Sequence, residues 1–273
     1  MSKSAARTLL SHVGLAVHRV GRLGARGPAL RILYYHSISD LPMRSAVSPP
    51  AFEGQMEHLV DKGYRVVPLA DAVQRLVRGP ALPPNAVSVT LDDGFVDNYE
   101  HAFPVLVRLE LPATIFLTVD YIGTDRLPTL TRTDFVPRPL DWAQVREMQG
   151  RGVDFGSHTL THPMLSRLGL EEARREISDS RSRLEDRLGN PVPLFCYPRG
   201  DFGPAVQRLV QEAGYVAACS TLPGVNGRRA DLFALRRTYV SRQDTPGDFA
   251  RRVAGAYDPL QRGLQLLRRL QRR

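Results

Sequence analysis

The stretch Ala86-Val87-Ser88-Val89-Thr90-Leu91 is a short apolar run, and Asp92-Asp93-Gly94 follows it directly. Similar apolar runs recur along the chain and alternate with segments of helical periodicity. The predicted strands are Ile32–Tyr35, Arg65–Val67, Ala86–Leu91, Ala113–Leu117, Val153–Gly156, Leu194–Tyr197, Val216–Cys219 and Leu235–Val240. The predicted helices are Ala51–Lys62, Leu69–Arg78, Tyr99–Leu109, Trp142–Arg151, Leu170–Leu188, Gly203–Ala213 and Pro246–Ala256. About seven alternations indicate an α/β fold with a parallel sheet, either a closed barrel or a doubly wound sheet.

The chain divides into one large domain and two basic ends. No linker rich in Pro, Gly or Ser splits residues 31–258, which we predict to be the folded domain. Residues 1–30 form a basic N-terminal segment, and residues 259–273 form a basic C-terminal helix or tail. The stretch from Val119 to Leu140 lacks periodicity, and a loop of that length in a compact domain is usually functional.

The positive charge lies at the two ends. The chain has 37 Lys and Arg residues against 28 Asp and Glu, a net charge of +9. Residues 1–31 contain six bases and no acid, residues 262–273 contain five bases and no acid, and the residues between them carry a net charge of −2. The body therefore lacks the basic stripe with aromatic platforms that a nucleic-acid-binding surface needs. Each end is either an amphipathic helix on an anionic membrane surface or a packing helix with a solvated basic face.

The sequence predicts neither a membrane span nor a clear signal peptide. The longest uncharged stretch near the start, residues 8–18, is far shorter than the ~20 apolar residues of a spanning helix and makes a poor signal peptide. We expect a location in the cytoplasm or on the inner face of the membrane, with export as the alternative. Cys196 and Cys219 are expected to be two buried thiols, with a disulfide as the alternative.

Polar residues cluster where the predicted strands end. In a parallel α/β barrel the carboxyl ends of all strands meet at one rim, and chemistry is built there. Several separate segments therefore point to one site. The residues concerned are His36, Asp92, Asp93, His158, Pro198-Arg199-Gly200, Arg236 and Arg237.

The two carboxylates of the Asp92-Asp93-Gly94 sequence can have different roles in one reaction. One can bind a metal ion while the other takes a proton from the water on that metal. Since adjacent strand residues point to opposite faces, the turn at Gly94 must bring both carboxylates to the rim. A plain Asx turn is the alternative interpretation of this short motif.

Two histidines provide the remaining ligands of a metal site. His158 and His162 are four residues apart, a spacing that places both on one face of a helical turn. Together with Asp93 they make a two-histidine, one-carboxylate set, which suits a hydrolytic Zn²⁺ site or a non-haem Fe(II) site. Asp92, a second carboxylate beside the set, favours hydrolysis because metal-bound water needs a nearby base.

Three motifs carry a resemblance to a known family. Thr-Leu-Asp-Asp-Gly at 90–94, His-Thr-Leu-Thr-His-Pro at 158–163 and Phe-Cys-Tyr-Pro-Arg-Gly at 195–200 resemble those of the NodB-homology polysaccharide deacetylases, carbohydrate esterase family 4. The resemblance covers about residues 31–240. It implies a distorted (β/α)₇ barrel that hydrolyses N-acetyl, and sometimes O-acetyl, groups with a divalent metal. It also implies Asp92 as catalytic base and Asp93, His158 and His162 as metal ligands.

The first strand is similar to that of a permuted branch that includes poly-N-acetylglucosamine deacetylases. In that branch the general-acid histidine lies near the N-terminus, and His36 matches its position; a structural histidine is the alternative. Many family members have an arginine that orients the catalytic aspartate where this chain has Cys196, and a tyrosine where it has Arg199. We expect Arg236 or Arg237 to supply the missing charge.

Substrate contacts are expected from the third motif and from the single tryptophan. The resemblance places the oxyanion site at Tyr197, Pro198, Arg199 and Gly200, where a main-chain N–H near Arg199 can donate whatever the side chain is. Trp142 either stacks on a sugar face or packs in the core.

These observations predict a metal-dependent hydrolase that removes N-acetyl groups from a polysaccharide or oligosaccharide. The expected cofactor is one divalent metal ion, Zn²⁺ first, with Co²⁺, Ni²⁺, Fe²⁺ or Mn²⁺ as alternatives. The expected partner is the carbohydrate substrate and not a nucleic acid. The alternatives are an O-acetyl sugar esterase, a deacetylase or deformylase of a lipid-linked sugar, and a non-catalytic carbohydrate-binding barrel.

Overall fold

The structure, a computed structural model, describes residues 28–125 and 137–258. The strands of these residues are β1 (Arg31–Tyr35), β2 (Ser37–Ile38), β3 (Ala46–Val47), β4 (Arg65–Val66), β5 (Ala86–Leu91), β6 (Ala113–Leu117), β7 (Val153–Ser157), β8 (Leu194–Cys196), β9 (Ala217–Cys219) and β10 (Thr238–Tyr239). The α-helices are α1 (Pro49–Asp61), α2 (Leu69–Val77), α3 (Phe103–Arg108), α4 (Trp142–Gly150), α5 (Leu170–Leu188), α6 (Pro204–Glu212) and α7 (Pro246–Val253).

The main sheet is parallel and curls towards a barrel. Its strands follow the order β10-β1-β5-β6-β7-β8-β9, and β4 adds to β5. The segment 235–239 contacts both ends of this path, because Leu235 bridges to Cys219 of β9 while β10 pairs with β1. The predicted α/β barrel is confirmed. The seven strands of the path surround a narrow interior, and the helices surround the sheet.

Side-chain size shapes the barrel interior. Phe116 points inwards from β6, and the facing position on β7 is Gly156, where a Cβ atom would lie 2.6 Å from the phenyl ring. Cys196 of β8 and Cys219 of β9 lie opposite each other in neighbouring strands. Both are buried free thiols, as predicted. The outer faces of the strands pack against the helices in a larger apolar cluster.

One local departure from prediction lies before α3. The expected helix Tyr99–Leu109 starts as a π-helix, Asn98–Ala102, and becomes α-helical at Phe103. Pro104 has no N–H, so the ordinary hydrogen bond to the Glu100 carbonyl cannot form. The wider turn that results brings Asn98 towards the loop after β1, where Asn98 Nδ2 donates to the His36 carbonyl over 2.8 Å.

The beginning and the end of the described domain are held together. Arg31, at the start of β1, donates to both carboxylate oxygens of Asp258 over 3.1 and 2.9 Å. Both side chains are buried. Residues 1–27 of the predicted basic N-terminal segment, the whole predicted C-terminal segment 259–273, and the middle of the loop, residues 126–136, lie outside the described residues. Within the described residues, no helix has the length and apolar character to cross a membrane.

Replacing Asp258 by Ala should destabilise the domain by about 3–5 kcal/mol, because it leaves the buried Arg31 charge uncompensated. The free energy of unfolding, measured by urea denaturation, tests this. The exposed Asp61 provides a matched control, for which Ala should change stability by only about 0.5 kcal/mol. Equal stabilities for the two variants would contradict a role for the ion pair.

Candidate active site

The carboxyl ends of the strands bring the predicted site residues to one rim. His36 follows β1, Asp92 and Asp93 follow β5, and His158 follows β7. The turn 197–200 follows β8. Asp92, Asp93 and His158 are each at most 5 % exposed, so their charges and dipoles interact in a poorly solvated space.

Asp92 is held by Arg237 inside the barrel. The two guanidinium nitrogens Nη1 and Nη2 donate to Oδ1 and Oδ2 of Asp92, each over 2.7 Å. The guanidinium also lies 4.2 Å from the centre of the Tyr34 ring and donates to Cys196 Sγ over 3.1 Å. Arg236 instead donates from Nη1 to the Pro223 carbonyl over 3.1 Å. Of the two arginines that the sequence left open, Arg237 is the one that pairs with Asp92.

The pKa values of the two adjacent carboxyl groups are shifted in opposite directions. Burial alone would raise the pKa of Asp92, but the charge and hydrogen bonds of Arg237 hold that pKa well below its ordinary value. Burial and the neighbouring Asp92 charge raise the pKa of Asp93 well above its ordinary value. Asp92 is therefore a carboxylate that is already compensated, while Asp93 lacks a positive partner of comparable strength.

Asp93, His158 and His162 form a candidate metal-binding group. Asp93 Oδ1 lies 3.5 Å from Nε2 of His158 and 3.5 Å from Nε2 of His162. An ion with tetrahedral bonds of about 2.1 Å holds its ligand atoms about 3.4 Å apart. Asp93 Oδ1 is also buried without a hydrogen-bond partner among the described residues. The donor set and its spacing fit a divalent cation.

Both imidazoles are in the state that a metal ligand requires. His158 Nδ1 donates to the Cys196 carbonyl over 2.7 Å, which leaves the Nε2 lone pair directed at Asp93. Burial lowers the pKa of His158 to about 4 and the pKa of His162 to about 2. Both rings are therefore neutral at neutral pH.

A second group of potential ligands, Asp92, His158 and Cys196, is less suited to a metal. Burial raises the pKa of the Cys196 thiol well above its ordinary value, so it is not the thiolate that metals bind. Both oxygens of Asp92 already accept from Arg237. The Asp93 group is therefore the better candidate.

The two histidines do not share a helical turn, contrary to prediction. The segment 158–162 is a loop in which Thr159 and His162 have φ of 69° and 62°, the left-handed region that interrupts a helix. Asp93 has a φ of 78°, and Gly94 follows with 74°. A Cβ atom on Gly94 would lie 2.7 Å from Leu117 Cδ2, so only glycine fits the turn that presents the two carboxylates.

His36 lies in an aromatic setting beside the Asp92 pair. Its ring centre is 5.8 Å from that of Tyr34 and 6.3 Å from that of Tyr239. Burial lowers the pKa of His36, and the charge of Asp92 partly opposes this shift.

The turn 197–200 differs in part from the expectation. Tyr197 is fully buried, its hydroxyl donates to the Phe233 carbonyl over 3.0 Å, and its N–H donates to the Cys219 carbonyl over 3.1 Å. Pro198 has no N–H, and the Gly200 N–H donates back to Tyr197. The remaining main-chain donor of the turn is the N–H of Arg199, a residue in the left-handed region with a φ of 57°.

Trp142 lies apart from the Asp–His group. It is partly buried, and the Arg187 guanidinium lies 5.3 Å from its ring centre. The ring lines a cavity of about 370 Å³ together with residues from the end of β6 and from α5, and none of the described residues of the candidate metal group lines it. The other lining residues are Val119, Asp120, Ile122, Arg183, Asp186 and Arg187.

Sequence reasoning missed Glu176, which binds the loop between the two histidines. Glu176 lies on the buried stripe of α5 with Ala173, Ile177, Ser180 and Leu184. A lone acidic residue on an otherwise apolar or small stripe was a signal in the sequence, because buried charges are usually tied to a specific partner.

Comparison with known proteins identifies the family to which this chain belongs. The family model described as polysaccharide deacetylase matches residues 79–218, about half of the chain. YxkH of Bacillus subtilis (strain 168), provisionally named as a polysaccharide deacetylase, is 30% identical over 212 residues, which are 78% of this chain and 71% of that protein. This chain belongs to the polysaccharide deacetylase family, as the resemblance indicated, and is a hydrolase of the deacetylase type.

More specific relatives are also similar to it. The poly-beta-1,6-N-acetyl-D-glucosamine N-deacetylase of Staphylococcus aureus (strain N315) is 25% identical over 213 residues, 75% of this chain and 70% of that protein. The structure of IcaB from Ammonifex degensii superposes with a TM-score of 0.71 at 26% identity and covers 85% of this chain and 98% of that one. The Streptococcus pyogenes deacetylase PplD has the same fold, with a TM-score of 0.73 at 22% identity over 84% of this chain and 99% of that one.

Replacing Arg237 by Gln should raise the pKa of the Asp92 carboxyl above its ordinary value, since burial then acts unopposed. In the wild type the depressed pKa contributes stability above the unfolded-state pKa, and this stability is lost as the pH falls. The variant should lose that contribution at neutral pH. A ¹³C NMR titration of the Asp92 carboxyl measures the shift, and an unchanged titration would contradict the assignment. Arg236→Gln is the matched control and should leave the titration unaltered.

Proposed function

We propose that this protein removes N-acetyl groups from an amino-sugar polysaccharide or oligosaccharide by metal-dependent hydrolysis. The observation that carries the proposal is the juxtaposition of two unlike carboxylates. Asp93 faces Nε2 of both histidines at 3.5 Å, and Asp92 is held beside it by Arg237. The name of the similar Staphylococcus aureus protein, a poly-beta-1,6-N-acetyl-D-glucosamine N-deacetylase, supports a substrate of the poly-N-acetylglucosamine type.

In this proposal Asp93, His158 and His162 hold one divalent cation. Zn²⁺ suits a two-histidine, one-carboxylate set best, and Co²⁺, Ni²⁺, Fe²⁺ and Mn²⁺ are the alternatives. A bound cation of this kind lowers the pKa of its water and polarises a carbonyl group.

Asp92 acts as the base. Asp92 keeps a lone pair on Oδ1 beyond the one that accepts from Arg237, while its Oδ2 also accepts from Cys196 Sγ over 3.7 Å, and its depressed pKa keeps it ionised. It takes one proton from the attacking water, whose oxygen bonds to the acetyl carbonyl carbon. Arg237 is a positioning residue, because its two parallel hydrogen bonds fix the plane of the carboxylate. The N–H of Arg199 donates to the oxyanion that develops on the acetyl oxygen.

His36 acts as the acid. As the C–N bond breaks, the amine leaving group needs a proton, and the His36 imidazolium supplies it; burial disfavours this protonated form, and the nearby charge of Asp92 favours it. The products are acetate and a free amino sugar. Tyr34 and Tyr239 flank the imidazole and limit its rotation.

Metal-loaded protein should release acetate from N-acetylglucosamine oligomers, and Asp92→Asn should lower the rate by about 10²–10⁴, the usual contribution of a general base. The exposed Asp61→Asn serves as the matched control. An enzymatic acetate assay with acetylated xylan and a lipid-linked amino sugar run in parallel separates the alternative substrates. Equal rates for wild type and Asp92→Asn would refute the role of Asp92, and a wild type without bound metal would favour a carbohydrate-binding barrel.

We also propose peripheral contact with an anionic membrane through the basic ends. The Arg31–Asp258 ion pair supports this, because it places both ends of the described domain together at the amino ends of the strands. This side lies opposite the rim that carries Asp92 and Asp93, so a surface-bound domain would keep its site open to the solvent.

Deleting residues 1–28 removes five of the bases and should weaken binding to phosphatidylglycerol vesicles at least about tenfold. Acetate release from a soluble oligomer should be unchanged. Vesicle co-sedimentation measures the binding, with phosphatidylcholine vesicles as control. Unaltered binding to the anionic vesicles would contradict the proposal.

A further inference from the structure

The loop between the two candidate metal-binding histidines is held in an unfavourable conformation. Thr159 and His162 both lie in the left-handed region, with φ of 69° and 62°, although neither is glycine. Such a conformation persists only where the surroundings over-determine it. The position of His162 Nε2 therefore depends on the contacts that hold this loop.

Glu176 of α5 supplies a large part of that restraint. Its Oε2 accepts from the N–H groups of Leu160 and Thr161 over 2.9 and 3.0 Å. Its Oε1 accepts from the Thr161 hydroxyl over 2.6 Å. The side chain is buried, and these three bonds all go to two residues that lie between His158 and His162.

A second contact ties the start of the loop to the same helix. Ser157 Oγ lies 2.7 Å from Ser180 Oγ, one turn along α5 from Glu176, and accepts from the Thr159 N–H over 3.2 Å. Inside the loop the Thr159 hydroxyl accepts from the His162 N–H over 2.9 Å. Without Glu176, the N–H of the buried Leu160 and the N–H and hydroxyl of Thr161 would lose their acceptor, and the loop would rearrange to satisfy them.

We propose that Glu176 is a positioning residue for the metal-binding loop. Its carboxylate fixes the backbone between the two histidines, sets the separation of their Nε2 atoms, and so determines metal affinity without touching metal or substrate. The inference rests on the proposed function in one respect, that Asp93, His158 and His162 bind a metal ion. Interactions outside the ligands themselves typically change metal affinity by 10–100-fold.

Glu185 on the same helix offers a matched control. It accepts from the Val192 N–H over 2.9 Å and from Arg181 Nε over 2.9 Å, so it also fastens a loop to α5. That loop, which follows the helix, carries none of the candidate site residues. A general loss of helix or loop stability would therefore affect Glu185→Ala as well, whereas a positioning role affects Glu176 alone.

The experiment measures Zn²⁺ binding to the metal-stripped full chain by competition with a chromophoric chelator. We expect Glu176→Ala to weaken binding about 10–100-fold and Glu185→Ala to leave it unchanged. Glu176→Gln should restore near wild-type affinity, because the amide oxygen accepts from both N–H groups and the amide NH₂ donates to the Thr161 hydroxyl. Co²⁺ spectra of the same variants report the ligand geometry directly.

Wild-type affinity in Glu176→Ala, or equal weakening in Glu185→Ala, would overturn the inference. If Glu176→Ala does not fold, Thr161→Val provides the test, since it removes only the bond to Oε1 and should weaken Zn²⁺ binding several-fold; unchanged binding would again overturn the inference. Absence of Zn²⁺ binding in the wild type would instead refute the proposed metal site, and the inference with it.

Discussion

Arg237 and Asp92 form a buried ion pair across the barrel, and either charge would be uncompensated without the other. The pair joins residues 145 positions apart and fastens the segment 235–239 to the end of β5. That segment contains β10, the strand at one end of the sheet, which pairs with β1, and its Leu235 bridges to β9 at the other end. The same segment therefore closes the barrel and aligns the Asp92 carboxylate. Cys196 stands where the family resemblance expects an arginine, and its sulfur accepts from the same guanidinium.

The ion pair also makes the pKa values of two neighbouring carboxyl groups differ. Arg237 compensates Asp92 and lowers its pKa, while the charge of Asp92 adds to burial in raising the pKa of Asp93. Asp93 turns away from Arg237 towards the two imidazoles through the left-handed turn that Gly94 continues. Left-handed, non-glycine residues recur in the segments around this site, and hydrogen bonds to α5 hold the segment that contains two of them, Thr159 and His162. The residues of this kind around the site are Asp93, Thr159, His162 and Arg199.

The sequence alone determined most of the strands and helices, though not β2 and β3, and the rim at which chemistry-bearing residues meet. The bounds of β5, β6 and α5 agree with prediction because each is a periodic run with clear ends, and a parallel arrangement sends the following residues to one side. The carboxylates and histidines could be grouped for that reason. Local periodicity also produced the error at His158 and His162. Their spacing suits a helix, but the segment between them donates hydrogen bonds to α5 and is held as a loop.

Only the tertiary structure decided which side chains touch. Arg236 and Arg237 are adjacent in sequence and project to different sides, so their spacing could not show that Arg237 alone pairs with Asp92. Tyr197 lies in the core and Trp142 lines a separate cavity, because packing over long sequence separations fixes their directions. Glu176 binds residues 15 and 16 positions earlier in the chain, through hydrogen bonds that exist only once α5 lies against the histidine loop. Sequence determined which groups are available, and the long-range contacts of the fold determined their partners.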